Sequence, residues 1–304
     1  MRLALIGDLH LYRLAVAPWR LCNKRLLGQT NLWLRRRWKF DPALLPAVVE
    51  RARALTPDML LLSGDLTTTS LEAEFTDAAA ALQPLLETVP TILVPGNHDR
   101  YTPGAARERL LERFLAPTVP GHFPAQRALT ERWHLLALDA AVPQPLNARG
   151  RLGREQLAET RALIAGLPQG ANLVVLCHYP ALLPPDMHEH AGHCLDDAAE
   201  LRDALRSFPG RMLYLHGHIH RPWFWKPQGE GLDRLLMVNA GAPCHKSAQY
   251  PRGQGFWQID LHDGDTSPTI AHHWYEPAPR PGVTTTEGAA GTGSAEGWQV
   301  RLFQ

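Results

Sequence analysis

The residues best able to carry out chemistry in this sequence are aspartates, histidines and an asparagine that follow short apolar runs. "RLALIG" is followed by Asp8 and His10, "MLLLSG" by Asp65, and "TILVPG" by Asn97 and His98. Two further runs follow the same pattern: "NLVVLC" is followed by His178, and "RMLYLHG" by His218 and His220. Imidazole nitrogens, carboxylate oxygens and amide carbonyls are all metal ligands in proteins. The pattern predicts a metal site assembled from separate parts of the chain.

The composition of this set indicates the kind and number of ions. It offers two aspartates, four histidines besides His98 and one asparagine carbonyl, which is more than one tetrahedral zinc requires. Mixed imidazole and carboxylate sets suit Mn, Fe, Zn, Co or Ni better than Mg or Ca, which prefer oxygen ligands. An aspartate shared between two ions would hold them about 3.5–4 Å apart. The set favours a centre with two ions.

The elements that must position these residues follow from the alternation of strand-length and helix-length segments. The strand candidates are "RLALIGD", "DMLLLSGD", "TILVPGN", "HLLALD", "NLVVLCH" and "RMLYLHGH". Helix-length stretches lie at 42–55, 70–87, 104–115, 153–166 and 195–207. This alternation predicts an α/β fold with buried sheets, whose strands bring ligands together at their carboxyl ends. Asp139, which ends "HLLALD", is predicted to be structural.

The later strand candidates follow a different pattern. "LLMVNAG", "GFWQIDL" and "TIAHHWY" succeed one another without helices, which predicts antiparallel strands. Residues 276–297 are rich in Pro, Gly and Thr, so we expect a domain over 1–275 and a flexible tail over 276–304. The final "WQVRLF" either docks as a strand or has no structural role.

The ordered motifs resemble those of the calcineurin-like metallophosphoesterases. The blocks are Asp-x-His in "GDLH", Gly-Asp in "SGDL", Gly-Asn-His-Asp in "PGNHD", a single His in "CHYP" and Gly-His-x-His in "GHIH". Together they span residues 7–220. The resemblance implies a two-sheet mixed β sandwich flanked by helices, and phosphoester hydrolysis with two divalent ions, Mn, Fe or Zn.

The resemblance also implies a role for each site residue. The first ion is bound by Asp8, His10 and His220, the second by Asn97, His178 and His218, and Asp65 bridges the two. In this family a metal-bound hydroxide attacks phosphorus. We group His98 and Asp99 as the catalytic residues: His98 stabilises the transition state or protonates the leaving oxygen, and Asp99 supports the loop or orients a neighbour. No role follows for Arg100.

An insert at residues 12–40 separates the first two motifs. Trp19, Leu26, Trp33 and Phe40 recur at intervals of seven, which predicts one amphipathic helix or two short ones. Between residues 20 and 39 the insert contains no acidic residue and seven basic ones: Arg20, Lys24, Arg25, Arg35, Arg36, Arg37 and Lys39. Residues 19–40 either contact an anionic membrane or form a cap on the sheet whose cations are solvated or bind substrate phosphate.

Three functions are compatible with these features. The first is a phosphohydrolase or phosphodiesterase for a small molecule such as a nucleotide or cyclic nucleotide. The second is a membrane-associated pyrophosphatase for a nucleotide-linked lipid, similar to UDP-diacylglucosamine hydrolase; the best-known form of that enzyme lacks the histidine corresponding to His98. The third, a non-catalytic binding protein, is disfavoured because no ligand of the motifs is missing.

Composition limits partners and location. The 304 residues include 31 Lys plus Arg and 30 Asp plus Glu, so the total charge is nearly neutral. A protein that binds extended nucleic acid is expected to carry an excess of basic residues for contacts with phosphates, so such a partner is not predicted. The four cysteines form no CxxC pair, and no apolar run reaches the length of a membrane span. These features predict a cytoplasmic protein, with peripheral attachment to the inner membrane face as the alternative, and do not predict its oligomeric state.

The loop with His188, His190 and His193 either rims the substrate pocket or is incidental.

Overall fold

The architecture comes from a computed structural model that describes residues 1–14, 24–31, 37–229, 231–264, 267–276 and 297–303. Its strands are β1 Arg2–Ile6, β2 Met59–Leu62, β3 Thr91–Leu93, β4 Ala125–Ala128, β5 Trp133–Leu138, β6 Asn172–Cys177, β7 Met212–His216, β8 Trp223–Trp225, β9 Leu235–Asn239, β10 Phe256–Asp260, β11 Thr269–Tyr275 and β12 Trp298–Phe303. They form two sheets, ordered β12-β11-β10-β1-β2-β3 and β4-β5-β6-β7-β9-β8.

Helices cover the outer faces of both sheets. They are α1 Arg25–Asn31, α2 Arg37–Lys39, α3 Leu45–Ala54, α4 Glu72–Leu86, α5 Pro103–Arg107, α6 Leu110–Leu115, α7 Arg154–Ala165 and α8 Ala198–Arg206, with a 3₁₀ turn at Pro42–Leu44. Helices α3, α4 and α6 share a core with the first sheet, whereas α7 and α8 share one with the second. The layers run helix, sheet, sheet, helix, so the predicted α/β fold class is confirmed.

Strand β1 shows why these runs are apolar almost without interruption. Side chains alternate between the two faces of a strand. Leu3 and Leu5 join the core between the sheets, whereas Ala4 and Ile6 join the core under the helices. Since both faces are covered, apolar residues are favoured at successive positions rather than at alternate ones.

The strand directions bring the site residues to one edge. Strands β1, β2 and β3 are parallel neighbours in the first sheet, and β5, β6, β7 and β9 are parallel neighbours in the second. Their carboxyl ends carry the polar loops, because the loops that leave parallel neighbours start at the same edge of a sheet.

Three details differ from the expectations. Strand β9, expected to be antiparallel, runs parallel to β7, since the 18 residues between the two strands include β8 and allow the chain to cross over. Strands β4 and β8 were not predicted; β4 is the polar segment "AQRA", and both lie at sheet edges. The stretch 104–115 is two short helices, separated at Arg109, which adopts a left-handed φ of 50°.

The insert and the last segment are described in part. Of the four insert residues spaced at intervals of seven, Leu26 lies on α1 and Phe40 is buried. The other two, Trp19 and Trp33, fall outside the described residues. The segment "WQVRLF", left open by the sequence, forms β12 and pairs with β11. The division into 1–275 and a tail stays a prediction. No helix in the described parts of the chain is long and apolar enough to span a membrane.

Candidate metal centre

Two groups of side chains that can bind metal lie next to each other at the carboxyl ends of strands from both sheets. In each group the candidate ligand atoms lie within 4.8 Å of one another. The first group consists of Asp8, His10, Asp65 and His220, and the second of Asp65, His178 and His218. Asp65 belongs to both. The structure therefore brings together six of the seven predicted ligands as groups, and the seventh, Asn97, contacts the second group.

The first group joins loops that follow β1, β2 and β7. The Nε2 atoms of His10 and His220 are 2.7 Å apart. His220 Nε2 lies 3.3 Å from Asp8 Oδ1, and His10 Nε2 lies 3.5 Å from Asp65 Oδ2. Two imidazole nitrogens and two carboxylates thus converge on one point, which is a suitable donor set for a transition-metal ion.

The second group, together with Asn97, joins loops that follow β2, β3, β6 and β7. Asn97 Oδ1 lies 3.2 Å from His178 Nε2 and 3.0 Å from His218 Nδ1. His178 Nε2 lies 3.4 Å from Asp65 Oδ2 and 3.2 Å from His218 Nδ1. An amide oxygen, a carboxylate and two imidazoles therefore surround a second point.

The shared carboxylate provides a test of whether ions fit. Asp65 Oδ2 is buried, has no hydrogen-bond partner, and lies about equally far from His10 Nε2 (3.5 Å) and His178 Nε2 (3.4 Å). A buried carboxylate oxygen without a partner costs free energy unless a cation or donor satisfies it. The position between both groups and the donor chemistry fit two divalent ions that share Asp65.

The charges around Asp65 keep it ionised. Burial raises the pKa of Asp65, but the nearby imidazoles of His178, His98 and His10 lower it, and the net pKa lies well below the usual range. Burial lowers the pKa of His178, but the Asp65 carboxylate raises it to about 9. Without a metal ion, each group thus stabilises the charged form of the other. A bound cation would take the place of the His178 proton, because imidazole binds metal in its neutral form.

Hydrogen bonds from the outer side fix two of the histidine rings. His178 Nδ1 donates to the carbonyl of Ser63 at 2.7 Å, which leaves Nε2 as the nitrogen that faces the group. His218 Nε2 donates to the carbonyl of His193 at 3.0 Å, which leaves Nδ1 facing inwards. A carbonyl on one nitrogen orients the ring and sets the tautomer that a metal needs.

The backbone at the centre is strained. Eight described non-glycine residues have positive φ, and five of them are predicted ligands: Asp8, His10, Asp65, His218 and His220. Left-handed backbone disfavours L side chains and costs on the order of 1–3 kcal/mol per residue. The cost is retained where the surrounding structure enforces it, which is typical of functional sites.

The loop "GNHD" is organised by Asp99. Its carboxylate accepts hydrogen bonds from four backbone amides, those of Asp65, Leu66, Thr67 and Gly96, at 2.8–3.1 Å. Burial, and then the Asp65 charge, raise the pKa of Asp99 to about 7. Asp99 is buried and is absent from the described lining of the cavity, so it acts on the site by holding the backbone around Asp65.

Gly96 is required in the same loop by close packing. A Cβ atom at this position would overlap the Asp65 carboxylate and its backbone nitrogen. Any side chain would therefore displace the shared ligand. This contact explains why a glycine precedes the asparagine in the motif, beyond the tight turn that glycine permits.

His98 lines the cavity beside the ligand groups. Its backbone amide donates to Asp65 Oδ1 at 2.7 Å, and its Nδ1 donates to the carbonyl of Thr68 at 2.6 Å. The ring stacks on Tyr101 with centroids 5.3 Å apart. In the part of the chain that is described, His98 belongs to neither ligand group. The ring is held in one orientation next to the centre without being part of it.

Arg100 and Asp139, neither of which has an assigned chemical role, pair with each other. Arg100 Nη1 lies 2.7 Å from Asp139 Oδ2, and Arg100 Nη2 lies 3.1 Å from Glu112 Oε1. The pair links the loop after β3 in one sheet to the end of β5 in the other. The sequence does not predict this contact, since nothing in either motif indicates its partner.

The centre opens into a cavity of about 610 Å³. Its rim includes His188, His190 and His193. The sequence did not decide whether the loop with these histidines borders the pocket, and in the structure it does. Lys24 from the insert and Tyr101 also line it. Tyr101 directly follows "GNHDR", whereas the place of Lys24 depends on how the insert packs and had no sequence signal beyond its charge.

The fold and the paired ligand groups define a class of protein. The family model described as "Calcineurin-like phosphoesterase" matches residues 1–222. The chain belongs to this family and is a phosphoester hydrolase, which confirms the predicted resemblance and the predicted enzyme class. The family and the ligand groups together support divalent metals at the centre and a small phosphoester as substrate.

Individual relatives refine this picture. A protein named "Probable cyclic nucleotide phosphodiesterase" from Synechococcus sp. is 28% identical over 228 residues, which cover 72% of this chain and 82% of the relative. A 3′,5′-cyclic adenosine monophosphate phosphodiesterase from Haemophilus influenzae is 29% identical, over 54% of this chain and 55% of its own length. Among solved structures, a dimetal phosphatase from Danio rerio superposes with a TM-score of 0.59 at 13% identity, over 89% of this chain and 94% of that one, which supports the fold.

Proposed function

We propose that this protein is a dinuclear metal-dependent phosphodiesterase that hydrolyses a nucleotide or cyclic nucleotide. The observation that carries the proposal is the Asp65 carboxylate, buried and shared between two ligand groups. Asp8, His10 and His220 would hold one ion, and Asn97, His178 and His218 the other. Two such ions would supply a nucleophile at neutral pH and offset the charge on the phosphoryl oxygens.

The remaining residues act around that centre. His98 is held by Thr68 and Tyr101 and faces the cavity, a suitable position for a proton donor to the leaving oxygen. Asp99 positions the Asp65 backbone and is assigned as a positioning residue rather than a group that touches substrate. The mixed nitrogen and oxygen ligands favour Mn, Fe or Zn as the ions.

Cyclic nucleotides are proposed as substrates because the two relatives described above are named for them. The protein should be freed of metal, reconstituted with Mn, Fe or Zn, and tested on 3′,5′-cyclic nucleotides, phosphomonoesters and nucleotide-linked lipids. We expect a cyclic nucleotide to take up one water across a P–O bond and yield a nucleoside monophosphate. Turnover of monoesters alone would refute the diesterase proposal.

One observation favours the membrane-associated alternative as a second candidate. Leu14, Leu26 and Trp38, all in the insert, are 57%, 53% and 69% exposed. Leu26 lies on α1, Trp38 on α2 and Leu14 outside both helices. Exposed apolar and aromatic side chains beside basic ones are the composition of a surface that lies on an anionic membrane. Co-sedimentation with anionic vesicles, using the wild type and a Leu26→Ser/Trp38→Ser variant, tests this candidate. Binding that the variant loses would support location at the inner membrane face; no binding by the wild type would remove the candidate, leaving the predicted cytoplasmic location.

A further inference from the structure

The cavity that leads to the metal centre contains one cationic side chain that the proposed chemistry does not use. Among the described residues that line the cavity, Lys24 is the one lysine or arginine. It comes from the insert, whereas Asp65, Asn97, His98 and the other metal-centre residues come from loops of the two sheets. A phosphoester is an anion, so a lysine in this place can bind it.

Lys24 is held in the cavity by two uncharged groups. Its Nζ donates to the backbone carbonyl of Asn147 at 2.6 Å and lies 4.6 Å from the centroid of the Tyr101 ring. Neither group is an anion. The side chain is about half-buried, and burial lowers the pKa of Lys24 whereas the Asp65 charge opposes this effect.

Other residues dock the segment that carries Lys24. Arg25 Nε donates to the carbonyl of Thr69 at 2.9 Å and Arg25 Nη2 to that of Ser70 at 2.8 Å. Gln29 Nε2 donates to the carbonyl of Arg13 at 2.9 Å. A Cβ atom at Gly28 would come within 2.7 Å of the Tyr101 hydroxyl, so α1 packs closely on this ring. These contacts position α1 without the Lys24 ammonium, which leaves that charge available for a ligand.

We propose that Lys24 is a substrate-binding residue that contacts a non-bridging oxygen of the phosphoester, and that the insert thereby determines affinity for anionic substrates. The inference rests on the proposed function and deepens it. When substrate binds, one N–H of the ammonium exchanges the neutral Asn147 carbonyl for a charged phosphoryl oxygen. A hydrogen bond between two charged groups is about twice as strong as a neutral one.

The test compares Lys24→Met, Lys24→Arg and the control Lys39→Met. Lys39 lies in the same insert, is exposed, and is absent from the described lining of the cavity. In the metal-loaded protein we expect Lys24→Met to raise KM for an aryl phosphodiester about 10- to 100-fold, the loss expected for a charged hydrogen bond. The kcat should change less than KM. Lys24→Arg should restore most of the affinity, and Lys39→Met should match the wild type.

A second readout does not depend on turnover. Binding of inorganic phosphate to the metal-loaded protein, measured by calorimetry, should weaken in Lys24→Met by a factor similar to that in KM. If the wild type hydrolyses no phosphoester, the proposed function fails, and phosphate binding still decides the role of Lys24. Unchanged phosphate affinity in Lys24→Met, or equal weakening in Lys39→Met, would overturn the proposal. Should Lys24→Met not fold, Lys24→Gln replaces it, with the same expected results.

Discussion

At the scale of single residues, Asp65 is the ligand on which both halves of the centre depend. Its Oδ2 atom lies within 3.5 Å of a histidine in each group, and its Oδ1 atom accepts the amide of His98 at 2.7 Å. This one carboxylate thus borders both candidate ion positions and also binds the backbone of His98, the proposed general acid. Replacing it should affect metal binding and catalysis together.

We predict that Asp65→Asn abolishes hydrolysis of an aryl phosphodiester and lowers metal content. An amide is neutral and is a poor bridge between two cations, so both ions should bind more weakly. Metal per protein is measured by mass spectrometry after dialysis, alongside turnover. A variant with two tightly bound ions and normal turnover would contradict the dinuclear assignment.

His98→Ala is predicted to separate catalysis from metal binding. The ring contacts Thr68 and Tyr101 and belongs to neither ligand group, so both ions should stay bound. Loss of a general acid should lower kcat by about 100-fold or more. The drop should be smaller for a substrate whose leaving group needs no proton, such as a nitrophenolate. Lost metal with normal residual chemistry would identify His98 as a ligand instead.

At the scale of elements, the Arg100–Asp139 pair joins loops from the two sheets. The two side chains are 21% and 12% exposed, so the pair is largely removed from water. Burial raises the pKa of Asp139, whereas the Arg100 guanidinium lowers it. The pair therefore holds the loop that carries Asn97 and His98 against the second sheet, and Asp139 depends on Arg100 for compensation of its charge.

Arg100→Met is predicted to lower the free energy of unfolding by about 3 kcal/mol, because it leaves the Asp139 carboxylate without its cation. Urea unfolding of the metal-free protein measures the change. The control is Arg53→Met, which breaks the exposed pair with Glu50 and should cost about 0.5 kcal/mol or less. Asp139→Leu in the Arg100→Met background should recover part of the loss. Equal effects of Arg100→Met and Arg53→Met would contradict the structural role.

Particular residues show how far the sequence predicts this molecule. The candidate ligands could be predicted because each lies within a few positions of the carboxyl end of a strand. In an α/β fold these strand ends lie at one edge of the sheet, so the side chains that follow them come together. The pairing of Arg100 with Asp139, 39 positions apart, depends on how one sheet stacks on the other. Likewise, the place of Lys24 in the cavity depends on the docking of α1, to which Arg25 and Gln29 contribute by contacts with the loop after β2. Such contacts arise from tertiary packing and have no local signal.

At the scale of the whole molecule, buried histidines outside the centre make stability depend on pH. Burial lowers the pKa of His272 to about 3, and its Nε2 donates to the carbonyl of Gln254 at 2.7 Å. Burial likewise lowers the pKa of His216 to about 3 and that of His273 to about 4. All three are neutral in the folded protein at pH values where they are partly protonated in the unfolded chain.

The sign of the effect follows from proton binding. Below an ordinary histidine pKa of about 6.5 these three side chains bind protons in the unfolded chain but not in the folded protein, so their contribution to stability falls as pH decreases. Asp99 and His178, whose pKa values are raised in the folded protein, contribute with the opposite sign. The change approaches about 1.4 kcal/mol per pH unit for each of the three histidines at pH values well below 6.5 and above its pKa in the folded protein. Urea unfolding of the wild type and His272→Gln between pH 7.5 and 4.5 should show a shallower loss in the variant. Identical slopes would mean that His272 titrates alike in both states.

Strand β12 has a consequence for how the protein behaves among copies of itself. It covers the edge of β11, whose sequence "TIAHHWY" is rich in β-formers, and it presents the exposed Arg301 on the new edge. Exposed strand edges pair with other chains, and a charged residue at an edge discourages this. Pairing of Trp298–Phe303 with β11 therefore opposes self-association through this edge, and a chain cut after residue 276 should lose this protection and aggregate.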